Sequence, residues 1–382
     1  MKDSMQKSSK AKQIVQQILP VAIFLLIGVS AGYLMGQSFV RFSVSLIEMP
    51  DILILLSLLL LLYLSVFLQV ILHEAGHLLC GLLTGYRFLS FRIGSCMLIK
   101  TDDRLRLKRL SIAGTGGQCL MLPPEYSAGK FPYVLYHLGG ALMNFLTSVS
   151  FLLLYLYCPA HPLVSALFGA LAITGFAIGV MNAVPLRLAL LDNDGNTLLL
   201  LRKDPQGVFA FYRMLEIHGQ IANGLRLRDM PEDWFTTPAD ADRHNSMIAT
   251  IEVYRCNRLM DQQLIEQASE SIRALLSSDA AVAGIHRSLL KCDLAYCAMM
   301  RGDFAAAQSE LDEQQQKFMR SMKRFPSILR TQYAQALLQY HDAAKAEEIF
   351  ASFESMAKKY PYPADIESER ALMDTAMKAF CA

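Results

Sequence analysis

One feature constrains this chain more than any other: an apolar run that starts at Ile52 and continues past Leu79 to Leu83, interrupted by His73-Glu74-Ala75-Gly76-His77. A run of that length crosses a bilayer as a helix, because a spanning segment in lipid must satisfy its backbone polar groups internally. Three more apolar stretches of membrane-spanning length lie at about 19–35, 134–157 and 163–184, and none follows Arg202. Each strongly polar side chain held mid-membrane costs about 2.5–3.5 kcal/mol, so such groups are expected to be paired or metal-bound. The leucines 58–62 before the motif and Leu78-Leu79 after it leave it no solvated face.

The spacing says what the cluster is built for. On a helix His73 and His77 stand one turn apart on one face and can share a tetrahedral zinc, while Glu74 beside them suits a general base. The plain alternative is a satisfied pair of core histidines, which the cost of burying them in lipid disfavours.

The 382 residues are 53% hydrophobic and 18% charged, too apolar for a soluble protein and too polar for a wholly membrane-embedded one. Two unlike parts are therefore expected. Lys2, Lys7, Lys10 and Lys12 precede the first span, and residues 85–132 carry eight further basic residues, including Arg104, Arg106, Lys108 and Arg109. The alternate loops hold only Arg41, so the positive-inside rule predicts four spans with both termini cytosolic. The basic flank and short apolar core of the first span also fit a cleaved signal peptide. The eight cysteines show no paired framework and are expected as free thiols. A net charge of +2 gives no reason to expect a nucleic-acid partner.

A catalytic zinc needs a third protein ligand and an open position. The fourth span runs back to the membrane face that carries the histidines, and there the chain reads from Asn182 through Pro185 to Asp192-Asn193-Asp194-Gly195. Pro185 removes a backbone donor, so the helix is expected to loosen and present Asp192 or Asp194. Asn193-Asp194-Gly195 is also an ordinary turn signal, and a turn can present a ligand.

Taken together, these residues resemble the site-2 protease family of intramembrane zinc metalloproteases. The likeness rests on three motifs in order along residues 51–200: His73-Glu74-x-x-His77, then Gly139-Gly140-Ala141-Leu142-Met143-Asn144, then Asn182-x-x-Pro185 followed by Asp194-Gly195. The resemblance implies one Zn2+ per chain held by His73, His77 and Asp194, with Glu74 as catalytic base. It favours Asp194 over Asp192 because Gly195 follows, although the interval from Pro185 is longer than in the best-known members. Asn144 or Asn182 is a candidate for holding substrate or the oxyanion, and the Gly139–Ala141 patch also suits close helix packing. The implied function is hydrolysis of peptide bonds in membrane-anchored proteins or peptides near the cytosolic face, in a protein expected in a bacterial plasma membrane. Two other readings compete. A prenyl-protein type of membrane zinc protease takes a Glu as third ligand, and a non-catalytic membrane scaffold has no use for Glu74.

Residues 86–93 and 105–112 largely alternate polar and apolar, which predicts strands of a hairpin or small sheet within about 86–121 and a possible edge for an extended substrate. Gly114-Thr115-Gly116-Gly117-Gln118 lacks the Lys-Ser/Thr ending of a nucleotide loop and is expected as a turn. From Lys203 onward amphipathic helices predominate, with helix breaks expected near Asp261, Asp303 and Asp342. They suggest a loose tetratricopeptide-like array suited to a regulatory protein partner, or else a bundle that caps the enzyme. The expected fold is thus mostly α. Residues 1–50 hold the first span and outer loop, 51–200 the polytopic metalloprotease core with its β-hairpin insertion, and 203–382 a cytosolic helical repeat-like domain.

Overall fold

The computed structural model describes residues 50–101, 104–127, 131–158, 160–186 and 192–381, with scattered positions between 25 and 40. The expected first span at 19–35, apart from those positions, and the four lysines before it lie outside the described residues. Among the described residues, three helices are long and apolar enough to cross a membrane: α1 (Asp51–Leu83), α2 (Tyr133–Tyr157) and α3 (Pro162–Ala183). They coincide with the second, third and fourth apolar stretches. At ~1.5 Å per residue α1 is about 50 Å long, well beyond the ~30 Å hydrocarbon slab. His161 caps α3, with its ring nitrogen accepting from Leu163 N, and Pro162 occupies the first turn, where its missing donor costs nothing. The helix stops at Ala183, two residues before Pro185.

The chain divides into two compact units. The first comprises Met1–Cys80, His137–Leu186 and Asn193–Gly195. Lipid offers no hydrophobic drive for helix association, so small residues and interhelical hydrogen bonds carry it. A Cβ on Gly139 of α2 would lie 2.5 Å from Gly76 O of α1, so the two backbones touch where both residues lack side chains. Ser148 Oγ of α2 donates to Ala172 O of α3, and Gln69 Nε2 of α1 donates to Leu171 O, 2.9 Å away.

The second unit comprises Gly81–Tyr136, Arg187–Asp192 and Asn196–Ala382. Its sheet has the antiparallel order β3-β2-β1-β4, from β1 (Arg87–Ile93), β2 (Cys96–Thr101), β3 (Arg104–Arg109) and β4 (Gly117–Leu122). β1 and β3 are the strands that alternation predicts. β4 escapes that rule because it buries the consecutive residues Cys119, Leu120 and Met121, and a strand covered on both faces reads as a plain apolar run; β2 escapes it because its outward residue between the buried Met97 and Ile99 is the apolar Leu98. Gly114, at φ +82°, lies in the turn before β4. The sheet is tied to the C-terminal helices by Arg109 N donating to Lys359 O, 2.8 Å away.

The helices of this unit are α4 (Asp194–Lys203), whose first residues belong to the other unit, α5 (Pro205–Ala222), α6 (Ser246–Asp261), α7 (Ile265–Ser277), α8 (Gly284–Met300), α9 (Phe304–Glu310), α10 (Glu313–Ser321), α11 (Pro326–Ala334), α12 (Ala343–Ala357) and α13 (Pro363–Cys381). Left-handed residues Gln263, Gly302 and His341 mark three of the helix breaks, 39 residues apart (263 to 302 to 341). Asp303 and Asp342 follow two of these breaks as caps, accepting from Ala306 N and Lys345 N. Asp261 differs: it is the last residue of α6, and its carboxylate accepts from Arg226. Leu290 and Leu294 lie in one apolar core with Ala249, Val253 and Ile272.

Candidate metal centre

Three donor atoms converge inside the first unit. His73 Nε2 and His77 Nε2 are 3.2 Å apart, and Asp194 Oδ2 lies 3.2 Å from the first and 3.3 Å from the second. Ligands ~2.0–2.1 Å from a tetrahedral metal stand about 3.3–3.4 Å from one another, so this nearly equilateral triangle is one face of such a tetrahedron. Three lone-pair donors at that spacing fit a divalent ion and leave the fourth position open.

Each ligand is positioned by local sequence. His73 and His77 share one face of α1 and are both 7% exposed, as is Glu74 between them. Gly140 lies against the imidazoles: a Cβ there would sit 2.5 Å from His77 Nε2 and 2.6 Å from His73 Nε2. The third candidate donor, Asp194, depends on Asn193. Its Nδ2 donates to Met181 O and Val184 O, both at 2.6 Å, and its Oδ1 accepts from Leu186 N at 3.0 Å. These bonds take up carbonyls left open where α3 ends ahead of Pro185, and they fix Asp194 in the first turn of α4. Gly195 completes the seat, since a Cβ there would be 2.9 Å from Asn182 O.

Beyond the ligands, Asn144 Nδ2 donates to both Gln69 O and Gln69 Oε1 at 2.9 Å. Its Oδ1 therefore faces His73 Nδ1, 2.7 Å away, and accepts from it. That bond puts the His73 proton on Nδ1 and leaves the Nε2 lone pair for a metal, the usual arrangement around a ligating histidine. Asn144 thus stands behind the candidate donor His73, completely buried. Asn182 Nδ2 donates to Ile178 O within its own helix. Asp192, the other carboxylate considered, lines a cavity of the second unit.

Two residues of the site were not singled out from sequence. His137, 7% exposed, places Nδ1 3.8 Å from Asp194 Oδ1. Gln69 anchors the relay through Asn144 to His73. Both carried a periodic signal: Gln69 is one turn before His73 on α1, and His137 is two turns before Asn144 on α2. Burial alone would raise the Asp194 carboxyl, but His77, His137 and His73 outweigh it and hold it well below the ordinary carboxylate range.

Two buried histidines on an apolar helix of spanning length, met by Asp194 from the start of α4, define a membrane protein with a candidate metal site. Residues 61–172 match the family model described as Peptidase family M50, the site-2 protease family. The matched stretch includes His73, Glu74, His77 and the segment Gly139–Asn144, and ends before Asn182 and Asp194. The match supports a membrane metalloprotease. No curated protein and no solved structure matches the chain significantly.

Proposed function

We propose that the protein is an intramembrane zinc metalloendopeptidase that hydrolyses peptide bonds of membrane-anchored protein or peptide substrates near the cytosolic face. The observation that carries this reading is the triangle of His73, His77 and Asp194 donors, 3.2–3.3 Å on each side, with Glu74 buried between the two histidines in sequence. His73, His77 and Asp194 would hold one zinc per chain; when bound, the ion supplies Lewis acidity and brings the pKa of water toward neutrality. Glu74 takes the proton from the attacking water and returns it to the leaving amine. The Gln69–Asn144 relay holds His73 in the tautomer that presents Nε2, and His137 orients the outer oxygen of Asp194.

The distribution of basic residues supports cytosolic termini. The 39-residue spacing of the three left-handed breaks supports a tetratricopeptide-like array that binds a regulatory protein. Nothing in the charge balance calls for a nucleic-acid partner. Glu74→Gln in the purified protein, with zinc measured beside cleavage of a membrane-helix substrate, tests the central claim. Retained zinc with cleavage reduced at least a hundredfold is expected; undiminished cleavage would refute it.

A further inference from the structure

The second unit contains a partly open cavity of about 440 Å³, within the size range of small-ligand sites. None of the residues assigned to proteolysis is on its walls, and its lining is mostly apolar by area, with Met247, Leu289 and Leu372 among the walls.

The polar groups on the walls are unevenly matched in charge. Asp192, Asp261, Asp293, Asp365 and Glu369 all reach the cavity. Asp261 is taken by Arg226, and Asp293 and Glu369 share the one guanidinium of Arg330. Asp365 has no basic partner among the described residues; its one hydrogen bond is from Tyr360 Oη at 3.5 Å. Arg92 also lines the space, but its guanidinium donates to Gly94 O, Thr115 Oγ1 and Gly117 O. The two histidines on the walls, His218 and His286, are held neutral by burial, His286 down to about 4. Carboxylates therefore outnumber cations around a space with greasy walls.

A second observation also points to a missing partner. Ser246, 6% exposed at the start of α6, lines the same cavity, and its buried hydroxyl has no hydrogen-bond partner among the described groups. A buried hydroxyl left so costs about 1–3 kcal/mol, which a ligand or bound solvent would recover.

We infer that this cavity is a binding site for an alkylammonium group, with Asp365 as its counter-ion and the apolar walls accommodating the methylene chain. The same chemistry is offered by a small free amine and by the lysine side chain of a peptide. Burial, together with Glu369 and Asp261, raises the Asp365 carboxyl to about 7. An arriving ammonium would relieve that repulsion.

The test is calorimetric titration of the purified full-length protein in detergent with n-pentylamine, n-pentanol, pentanoate and the peptide acetyl-Gly-Lys-Gly-amide. Saturable binding of one pentylamine per chain, at least tenfold tighter than pentanol or pentanoate, is expected. Asp365→Asn should weaken it at least tenfold, and Leu289→Trp, which fills the space while keeping the carboxyl, should abolish it. Peptide binding tighter than pentylamine identifies a lysine side chain as the source, and weaker binding identifies a free amine. Equal binding of pentylamine and pentanol, unchanged affinity in Asp365→Asn, or no binding by any probe would overturn the assignment. None of these readouts depends on proteolysis.

Discussion

Replacing Asn144 with Ala probes the metal centre without touching a ligand. The side chain makes three buried bonds, two from Nδ2 to Gln69 and one to Oδ1 from His73 Nδ1. Its removal leaves the Gln69 acceptors short of a donor and the Nδ1–H of His73 without its acceptor. A buried polar group left unpaired costs about 1–3 kcal/mol, so stability should fall by an amount in that range if neighbours partly compensate. The consequence for metal is separable. Once the bond at 2.7 Å is gone, the His73 ring is free to turn and to place its proton on Nε2, where it blocks coordination. Loss of such a supporting group typically costs 10–100-fold in metal affinity, about 1.4–2.7 kcal/mol. Zinc affinity measured by competition with a chromogenic chelator, beside thermal unfolding of the metal-free protein, distinguishes the two effects. Folded Asn144→Ala protein with wild-type zinc affinity would show that the relay does not set the His73 tautomer.

His73→Ala, His77→Ala and Asp194→Ala should each lose stoichiometric zinc by elemental analysis, whereas Asp192→Ala should keep it. Gly140→Ala should displace the imidazoles, because its Cβ falls 2.5 Å from His77 Nε2; zinc content should drop at least tenfold, and wild-type content would disprove the close seat. Asp365 bears on pH dependence. Its folded value is raised from 3.8 to about 7, so the folded state holds a proton that the unfolded chain releases, and stability falls as pH rises from about 4 to about 7 and is flat above. Three units correspond to roughly 4 kcal/mol as an upper bound, so Asp365→Asn should unfold at higher temperature than wild type at pH 8 and match it near pH 4; the opposite order would contradict the burial argument.

What could be read from sequence follows from which physical signals are local. The three apolar helices and the histidine pair were legible because lipid makes length and polarity decisive: an ionisable cluster in such a run has few alternatives. The convergence of Asp194 was legible only as a choice between two carboxylates. What separates them in the structure is Asn193, whose bonds to Met181, Val184 and Leu186 reach across the end of α3, and a bond over nine or twelve residues leaves no periodic trace. β4 was missed because both its faces are buried. The helix breaks were legible at all three aspartates: Asp303 and Asp342 cap the helices that follow, and Asp261 is the last residue of α6. What sequence did not show at the first break is that the left-handed residue is Gln263, a type that gives no turn signal, and that Asp261 pairs with Arg226.

The first unit also suggests why its polar residues lie where they do. Apolar contact between membrane helices gains little over contact with lipid, so the association of α1, α2 and α3 must come from close backbone approach and from hydrogen bonds. The Gly76–Gly139 contact supplies the approach, and Gln69 is the hub of the bonds, donating to Leu171 on α3 and accepting from Asn144 on α2. The relay that orients His73 is therefore also an interhelical tie, so folding and metal readiness are set by the same residues. Asp194 is brought to the site by a different device, the Asn193 turn, and a bound metal would link that turn to α1. Removing zinc should then loosen the start of α4 more than the contact between α1 and α2. Hydrogen exchange with and without chelator reads this directly: faster exchange around residues 193–197, with residues 69–80 little changed, is the expected result, and uniform loosening of both segments would show that the metal, rather than the Gln69 relay, holds the helices together.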